Sequence, residues 1–419
     1  MLSGTINASP SKSHSLRAIL FASMAYGHSK IINYLLSTDT EAMLNACRML
    51  GAQIKVCANY LSIQGSNGKI AVPDNVIDAG NSGQVLRFIT AMLALNPNYA
   101  VITGDKSIRH NRPMQPLIDG LQELGAFCVA TKNDGHAPII IRGAIKAGIA
   151  KLSGKDSQPV SALLIAAAFL AGRTEIYVTD PGEKPWIDVT LNWLNKIGVN
   201  YKNHNYTHYI VDGSANYPGF NYLVPADFSS ILFPIVAALL THSTITIQQV
   251  DISDIQGDKQ VLEILKTMGA NIEYDASQHS LQIKNAAKLT GKTIDVNDFI
   301  DAVPILAVVG CCAAGETKLI NAAIARTKEC DRLAAITTEL KKMGANIQEA
   351  PGSLIIKPAK LFAATVNTYN DHRMVMALTV AGMIATGKTI INNVVTINKS
   401  YPDFYKDMRK LGANVEVIT

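Results

Sequence analysis

No apolar run in this sequence reaches the roughly 20 residues that a membrane span requires; the longest, Ala302 to Gly315, falls well short. None of the cysteines (Cys47, Cys57, Cys128, Cys311, Cys312 and Cys330) forms a C-x-x-C pair. That removes the common zinc and redox signatures and leaves buried free thiols of a cytosolic protein as the expectation. Aromatic residues make up only 6% of the chain, and its basic residues come singly. Nucleic-acid binders normally cluster their cations among exposed aromatic rings, so no nucleic-acid partner is expected. The opening residues, MLSGTINASPSKSHS, contain neither a basic n-region nor an apolar h-region, so no signal peptide is expected. Low-complexity segments and long linkers are missing too.

What is present describes a globular chain. With 419 residues, 48% of them apolar and 17% charged, there is enough material for two domains with large cores. The formal net charge of +5 is mild and suits anionic small molecules.

One phrase recurs along the whole chain: an amphipathic run, a glycine, then an extended run. Its copies are MLGAQI, ELGAFC, KIGVNY, TMGANI, KMGANI and KLGANV, with glycines at Gly51, Gly125, Gly198, Gly269, Gly344 and Gly412. The gaps are 74, 73, 71, 75 and 68 residues, a period that organises everything else. In VLEILKTMGANIEY, Val261, Leu265 and Met268 share one helical face. Gly269 then supplies a left-handed residue past the helix end, and Ala270, Ile272 and Tyr274 alternate as a strand. Each unit is expected to end as helix, glycine cap, strand.

Each unit also contains a helix that is apolar nearly all round and therefore buried on every side. These run from Leu16 to Met24, Val85 to Leu95, Val160 to Leu170, Ile231 to Leu240, Ala302 to Ala314 and Met374 to Ala385. A break near Val224-Pro225 divides the chain into halves of three units. A polar cluster precedes every buried helix: SKSHS, GNSGQ, KDSQ, ADFSS, NDFID and YNDHR. Taken singly, each reads as an N-cap. Repeated at equivalent places, they suggest three helix N-termini converging in each half, where partial positive charge and free N–H groups bind anions.

Several cations sit within loop phrases and off exposed helix faces: Lys12, Arg17, Arg87, Arg112, Lys328, Arg332, Arg373 and Lys399. The arginines offer a bidentate fork for carboxylate or phosphate. Two carboxylates accompany them. Asp301 opens an apolar helix, where a cap is the simplest role, and Glu329 lies between Lys328 and Arg332, where an ion pair is.

SKS…R, GNSG…R, RPMQPL, SQ…SALL, QGD, KECDR, YNDHRM and NKSYPDF, in that order and over essentially the whole chain, resemble the EPSP synthases, or 3-phosphoshikimate 1-carboxyvinyltransferases. The resemblance implies an α/β fold: a two-domain inside-out α/β barrel with three βαβαββ repeats per domain, six in total. The domains would be 1–10 plus 226–419 and 11–225, with the active site in the cleft between them. The implied reaction moves the enolpyruvyl group of phosphoenolpyruvate to the 5-hydroxyl of shikimate 3-phosphate in the shikimate pathway. Lys12, Ser13, Arg17, Ser157, Gln158, Asp301 and Lys328 would hold shikimate 3-phosphate. Lys12, Gly83, Arg112, Gln158, Arg332, Arg373 and Lys399 would hold phosphoenolpyruvate. Asp301 would be the base at the attacking hydroxyl, Glu329 the proton donor, and Lys12 a third catalytic group. Neither a metal nor a cofactor is implied, and a cytoplasmic monomer is expected.

Five positions depart from the family pattern. Asp156 precedes Ser157-Gln158, Glu183 replaces a serine near the shikimate phosphate, Trp186 replaces a tyrosine, Ile324 an asparagine, and Gln84 a threonine beside Gly83. Gln84 is expected to weaken inhibition by glyphosate. Two acids near a phosphate repel it, so their side chains are expected to turn away, with Lys155 or Lys184 compensating. The sister family that uses UDP-N-acetylglucosamine usually carries a reactive cysteine or an aspartate in the loop here running from Arg109 to Pro116, which has neither. A non-catalytic RNA-binding module on the same scaffold is disfavoured by the retained Asp301 and Glu329.

Overall fold

The computed structural model describes residues 1–285 and 288–418. The chain forms two compact units, Met1–Ser11 with Pro225–Thr419, and Lys12–Val224. Their boundary residues are held by backbone bonds. Ser11 N–H donates to the Pro225 carbonyl (2.8 Å) within the first unit, and Val224 N–H donates to Ile32 (3.0 Å) within the second.

The sheets repeat one pattern. Ile149–Ser153 runs parallel to Arg173–Thr179, which pairs antiparallel with His208–Asp212, which pairs antiparallel with Asn200–His204. Four other sheets follow the same order. Two of them are closed by a strand distant in sequence: Ser3–Asn7 lies parallel to Thr244–Gln248, and Asn221–Leu223 lies parallel to His28–Ile32. The N-terminal strand thus completes a repeat of the unit that resumes at Pro225.

All six repeat glycines adopt positive φ, from 76° at Gly198 to 113° at Gly269. Side chains with a Cβ rarely tolerate that region, so these helices end where glycine occurs. The sixth copy departs from expectation beyond its glycine, because Ala413 to Ile418 form no strand. In the other five copies that strand pairs with a following hairpin strand. Here the sheet is two-stranded, Thr365–Asn367 with Ile390–Asn392, so no such partner satisfies its backbone.

The six buried helices are α1 Lys12–Met24, α2 Gly83–Leu93, α3 Ser157–Ala167, α4 Phe228–Leu240, α5 Val303–Cys312 and α6 His372–Ile384. Most begin earlier than apolar periodicity suggests, because the polar clusters form their caps and first turns. Ser82, Asp156, Asp227 and Asp371 cap α2, α3, α4 and α6 by accepting backbone N–H bonds. Asp301 does not cap α5; it lies in a 3-10 turn, Asn297–Ala302, that leads into it. Burial is complete along α2 and nearly so along α4, but the last residues of α6 are half-buried, consistent with the two-stranded sheet beside them. Cys47, Cys128, Cys311 and Cys330 are buried free thiols, whereas Cys57 and Cys312 are only half-buried. Among the described residues no helix is long and apolar enough to cross a membrane.

In the second unit Trp193 anchors the helix Lys184–Lys196 against α1. It is 1% exposed, stacks on Phe21 at 5.4 Å, and packs on Phe220 and Tyr222. Trp193→Ala is expected to cost about 3–5 kcal/mol of stability through the cavity left behind, readable by urea unfolding.

Candidate functional site

In the second unit the N-termini of α1, α2 and α3 meet. The Gln84 side-chain amide donates to Ser13 Oγ (3.2 Å), joining α2 to α1, and Arg87 Nη1 donates to Gln158 Oε1 (2.8 Å), joining α2 to α3. Gly83 lies in the middle. A Cβ there would stand 2.8 Å from Arg87 Nη1, 3.0 Å from Gln158 Oε1 and 3.4 Å from the Arg112 guanidinium carbon. Hydrogen in place of a side chain keeps this spot open between the cations. Lys12 starts α1 and pairs with the buried Asp39 at 3.3 Å, a partner the sequence did not single out.

Arg17 is 1% exposed, yet among the described residues no carboxylate lies within salt-bridge distance of it. Its Nε and Nη2 donate to Thr190 Oγ1 (3.0 and 2.9 Å), Nη1 to the Ser13 carbonyl (3.2 Å) and Nη2 to the Trp186 carbonyl (3.3 Å), and the guanidinium lies 5.0 Å from the Phe88 ring centroid. Burial pushes its pKa down to about 9, opposed by Tyr222, so it remains charged at neutral pH. A buried cation solvated by neutral dipoles is well suited to an incoming anion. Thr190 left no sequence signal, being 173 residues away.

The two unexpected acids have separate arrangements. Asp156 caps α3 at Gln158 N–H (3.0 Å) and pairs with Arg87 at 3.1 Å. The expected compensating lysines are engaged elsewhere: Lys155 faces Asp180 at 3.9 Å, and Lys184 lies over the Tyr206 ring at 5.5 Å. Arg87 takes their place because it is buried beside the cap, whereas Lys155 is 71% exposed. Glu183 does not turn away from the loop. Its Oε2 accepts from both the N–H and the hydroxyl of Ser157 (3.1 and 3.3 Å), which are donors that a phosphate would use.

In the first unit the segments leading into α5 and α6 meet at Arg332, which is 1% exposed. Its Nη1 donates to Asp301 Oδ1 (2.6 Å), its Nη2 to Glu329 Oε2 (2.8 Å), and its Nε to Asp371 Oδ2 (2.7 Å). Arg373 Nη2 donates to the other Asp301 oxygen (3.2 Å), and Lys399 donates to Glu329 Oε1. Glu329 therefore makes the ion pair that its neighbours suggest, while Asp301 is an ion-pair member and no cap. Lys328 is buried in the same group. Burial disfavours the charged form of Asp301, but Arg373, Arg332 and Lys328 outweigh it and hold this carboxyl far below its ordinary range, with Glu329 opposing. The carboxylates similarly overcome burial at Arg332 and raise its pKa. Asp301 is the open member of the group, with 26% of its side chain accessible against 4% for Glu329 and none for Asp371. Nε and Nη1 of Arg373 have no hydrogen-bond partner among the described residues, leaving donors for a ligand.

Asp371 reads in the sequence as one more cap. It does cap α6 at Arg373 N–H (2.8 Å), and it also grips Arg332. The turn before it is anchored by the fully buried Glu339, which accepts from Tyr369 OH (2.7 Å) and Asn367 N–H (3.0 Å). Tyr369 and Asn370 both sit at positive φ (53° and 56°), a strained pair that this anchor supports. Glu329, Asp371 and His372 bring ligand-type atoms within 4.8 Å of one another. Arg332, which donates to both of these carboxylates, supplies the positive charge there.

Gly83→Ala is expected to leave the melting temperature nearly unchanged, because the new methyl meets the flexible ends of Arg87 and Gln158. It should displace them and weaken the binding of a small anion such as inorganic phosphate by about tenfold, read by calorimetry, the size of one lost charge-assisted bond.

The model of the family described as EPSP synthase (3-phosphoshikimate 1-carboxyvinyltransferase) matches residues 1–408. The 3-phosphoshikimate 1-carboxyvinyltransferase of Methanocaldococcus jannaschii is 43% identical over 421 residues, covering 99% of this chain and 97% of that one. The enzyme of the same name from Acetivibrio thermocellus is 40% identical over 413 residues, with the same coverage. A solved EPSP synthase from Acinetobacter baumannii superposes with a TM-score of 0.82 at 27% identity, covering 100% of this chain and 97% of that one. By fold and by sequence, this chain belongs to the EPSP synthase family.

Proposed function

We propose that this chain transfers the enolpyruvyl group of phosphoenolpyruvate to the 5-hydroxyl of shikimate 3-phosphate, releasing phosphate, as a cytoplasmic monomer in the shikimate pathway. The observation that carries the reading is the Arg332 guanidinium, which holds Asp301 and Glu329 on its two Nη atoms, with Arg373 and Lys399 on their outer oxygens. The reaction needs one group that accepts a proton and one that donates it, both close to cations.

Asp301 takes the proton from the 5-hydroxyl as that oxygen attacks C2 of phosphoenolpyruvate. Glu329 delivers a proton to C3. The tetrahedral intermediate then collapses: its C2–O bond to phosphate breaks with the electron pair going to phosphate, the C3 methyl returns a proton to the Glu329 carboxylate to re-form the C2–C3 double bond, and the proton taken by Asp301 leaves with the phosphate. In the ligand-free protein Asp301 is a weak base, because its arginines hold it ionised. Substrate carboxylate and phosphate oxygens draw Arg332, Arg373 and Lys399 toward themselves, and Asp301 then binds a proton more readily. The same cations stabilise charge on the intermediate. Lys12, Ser13, Arg17, Ser157, Gln158 and Lys328 are assigned to shikimate 3-phosphate. Gly83 and Arg112, with Lys12, Gln158, Arg332, Arg373 and Lys399, are assigned to phosphoenolpyruvate. A single chain carries the whole set, which supports a monomer, and the free thiols fit a reducing compartment.

Phosphate release from phosphoenolpyruvate is expected to depend strictly on shikimate 3-phosphate. Release that proceeds without it, or with UDP-N-acetylglucosamine in its place, overturns the assignment. Asp301→Asn is expected to lower kcat by about 10²–10⁴, the usual contribution of a general base. Glu183→Ser frees the Ser157 donors and removes a negative charge. It should tighten shikimate 3-phosphate binding by about tenfold while leaving unphosphorylated shikimate unaffected, as read by calorimetry.

A further inference from the structure

The QGD phrase carries a carboxyl that the mechanism above does not use. Asp258 sits in the 3-10 turn Gly257–Lys259, which packs against the Asn297–Ala302 turn bearing Asp301. It is fully buried. Its Oδ2 accepts one hydrogen bond, from the Ser229 hydroxyl at the start of α4 (2.9 Å), and its Oδ1 has no partner among the described residues. No cation among the described residues lies within salt-bridge distance of it. A carboxylate buried with a single neutral donor is costly, and such a group keeps its proton instead. The charged groups around it are Asp301, Asp227 and Arg373. Arg373 is the one cation of the three, and its Nε and Nη1 have no partner among the described residues.

We infer that Asp258 is a neutral, protonated carboxylic acid in the working protein, and that this neutrality leaves Arg373 available to an anionic substrate. Once ionised, Asp258 competes with that substrate for the Arg373 guanidinium. It acts through Arg373 and is therefore a positioning residue. Its ionisation has a defined range, since burial and then the charge of Asp301 push its pKa up to about 8, against the pull of Arg373 and Ser229. The functional half of the inference rests on the proposed reaction; the protonation state does not.

Two experiments separate these halves. In the ligand-free protein, a carboxyl whose folded-state pKa lies above its unfolded value of about 3.9 stabilises the fold at low pH and loses that contribution as pH rises toward 8. Asp258→Asn is uncharged throughout. The melting temperature of the unmodified protein should therefore fall relative to that of Asp258→Asn between pH 5 and 8 and run parallel to it above pH 9. Asp258→Ser gives the same comparison if the amide does not fit. Parallel curves from pH 5 upward overturn the neutral state, whatever reaction the protein catalyses. In turnover, the KM for phosphoenolpyruvate should rise about tenfold from pH 7 to 9 in the unmodified protein, as one ionisation requires, with kcat less affected. Asp258→Asn should keep near-normal activity at pH 7 and lose that rise. An Asn variant whose KM at pH 7 is already raised to the level of Asp258→Ala shows that the anion is needed and refutes the role assigned to Arg373.

Discussion

A single buried guanidinium organises the first unit. Arg332 is almost without solvent contact, and each of its donor nitrogens faces a carboxylate from a different segment. Burying a charge is costly, pairing and hydrogen bonds offset that cost, and removing one partner leaves the others uncompensated. The segments carrying Asp301, Glu329 and Asp371 are therefore tied to one point. Asp371 adds a second tie because it also caps α6, so the start of that helix and the orientation of Arg373 are coupled to the same arginine.

The two units use opposite strategies at their helix N-termini. In the second unit Arg17 is held by a threonine hydroxyl and two backbone carbonyls, with no acid among the described residues to neutralise it. It is receptive as it stands. In the first unit Arg332, Arg373 and Lys399 already carry internal carboxylates, which must yield when a substrate anion arrives. An anion must displace carboxylates there, which weakens its net attraction, and in the proposed reaction the carboxylates it releases are the groups that move protons. Glu183 brings a trace of the first unit's strategy into the second by occupying the Ser157 donors.

Much of the fold was legible in local patterns. The six glycines that punctuate the repeat all take the left-handed conformation, because only glycine reaches it cheaply. The buried helices are legible from their lack of a polar face, but all except α5 begin earlier than that pattern suggests. Ser13, Gln84, Ser157, Ser229 and Arg373 are buried despite being polar, since neighbouring N-termini and side chains solvate them there. The final strand was expected from sequence similarity and is missing, because a strand is stabilised by its partner and not by its own residues. The polar clusters were legible as a set; Thr190, Asp39 and Glu339 were not, having no unusual local context.

The amino-acid sequence by itself determined what each position offers: a cation, an acid, a left-handed turn or a helix end, repeated at a near-constant interval. Those properties depend on residues within a few positions of one another. Only the tertiary structure decided which charge meets which. Arg332 reaches Asp301 across 31 residues, Lys399 reaches Glu329 across 70, and Arg373 reaches Asp301 across 72. Arg87, and not either nearby lysine, met Asp156. Electrostatic energy varies with distance in space and with desolvation, and neither is a property of spacing along the chain.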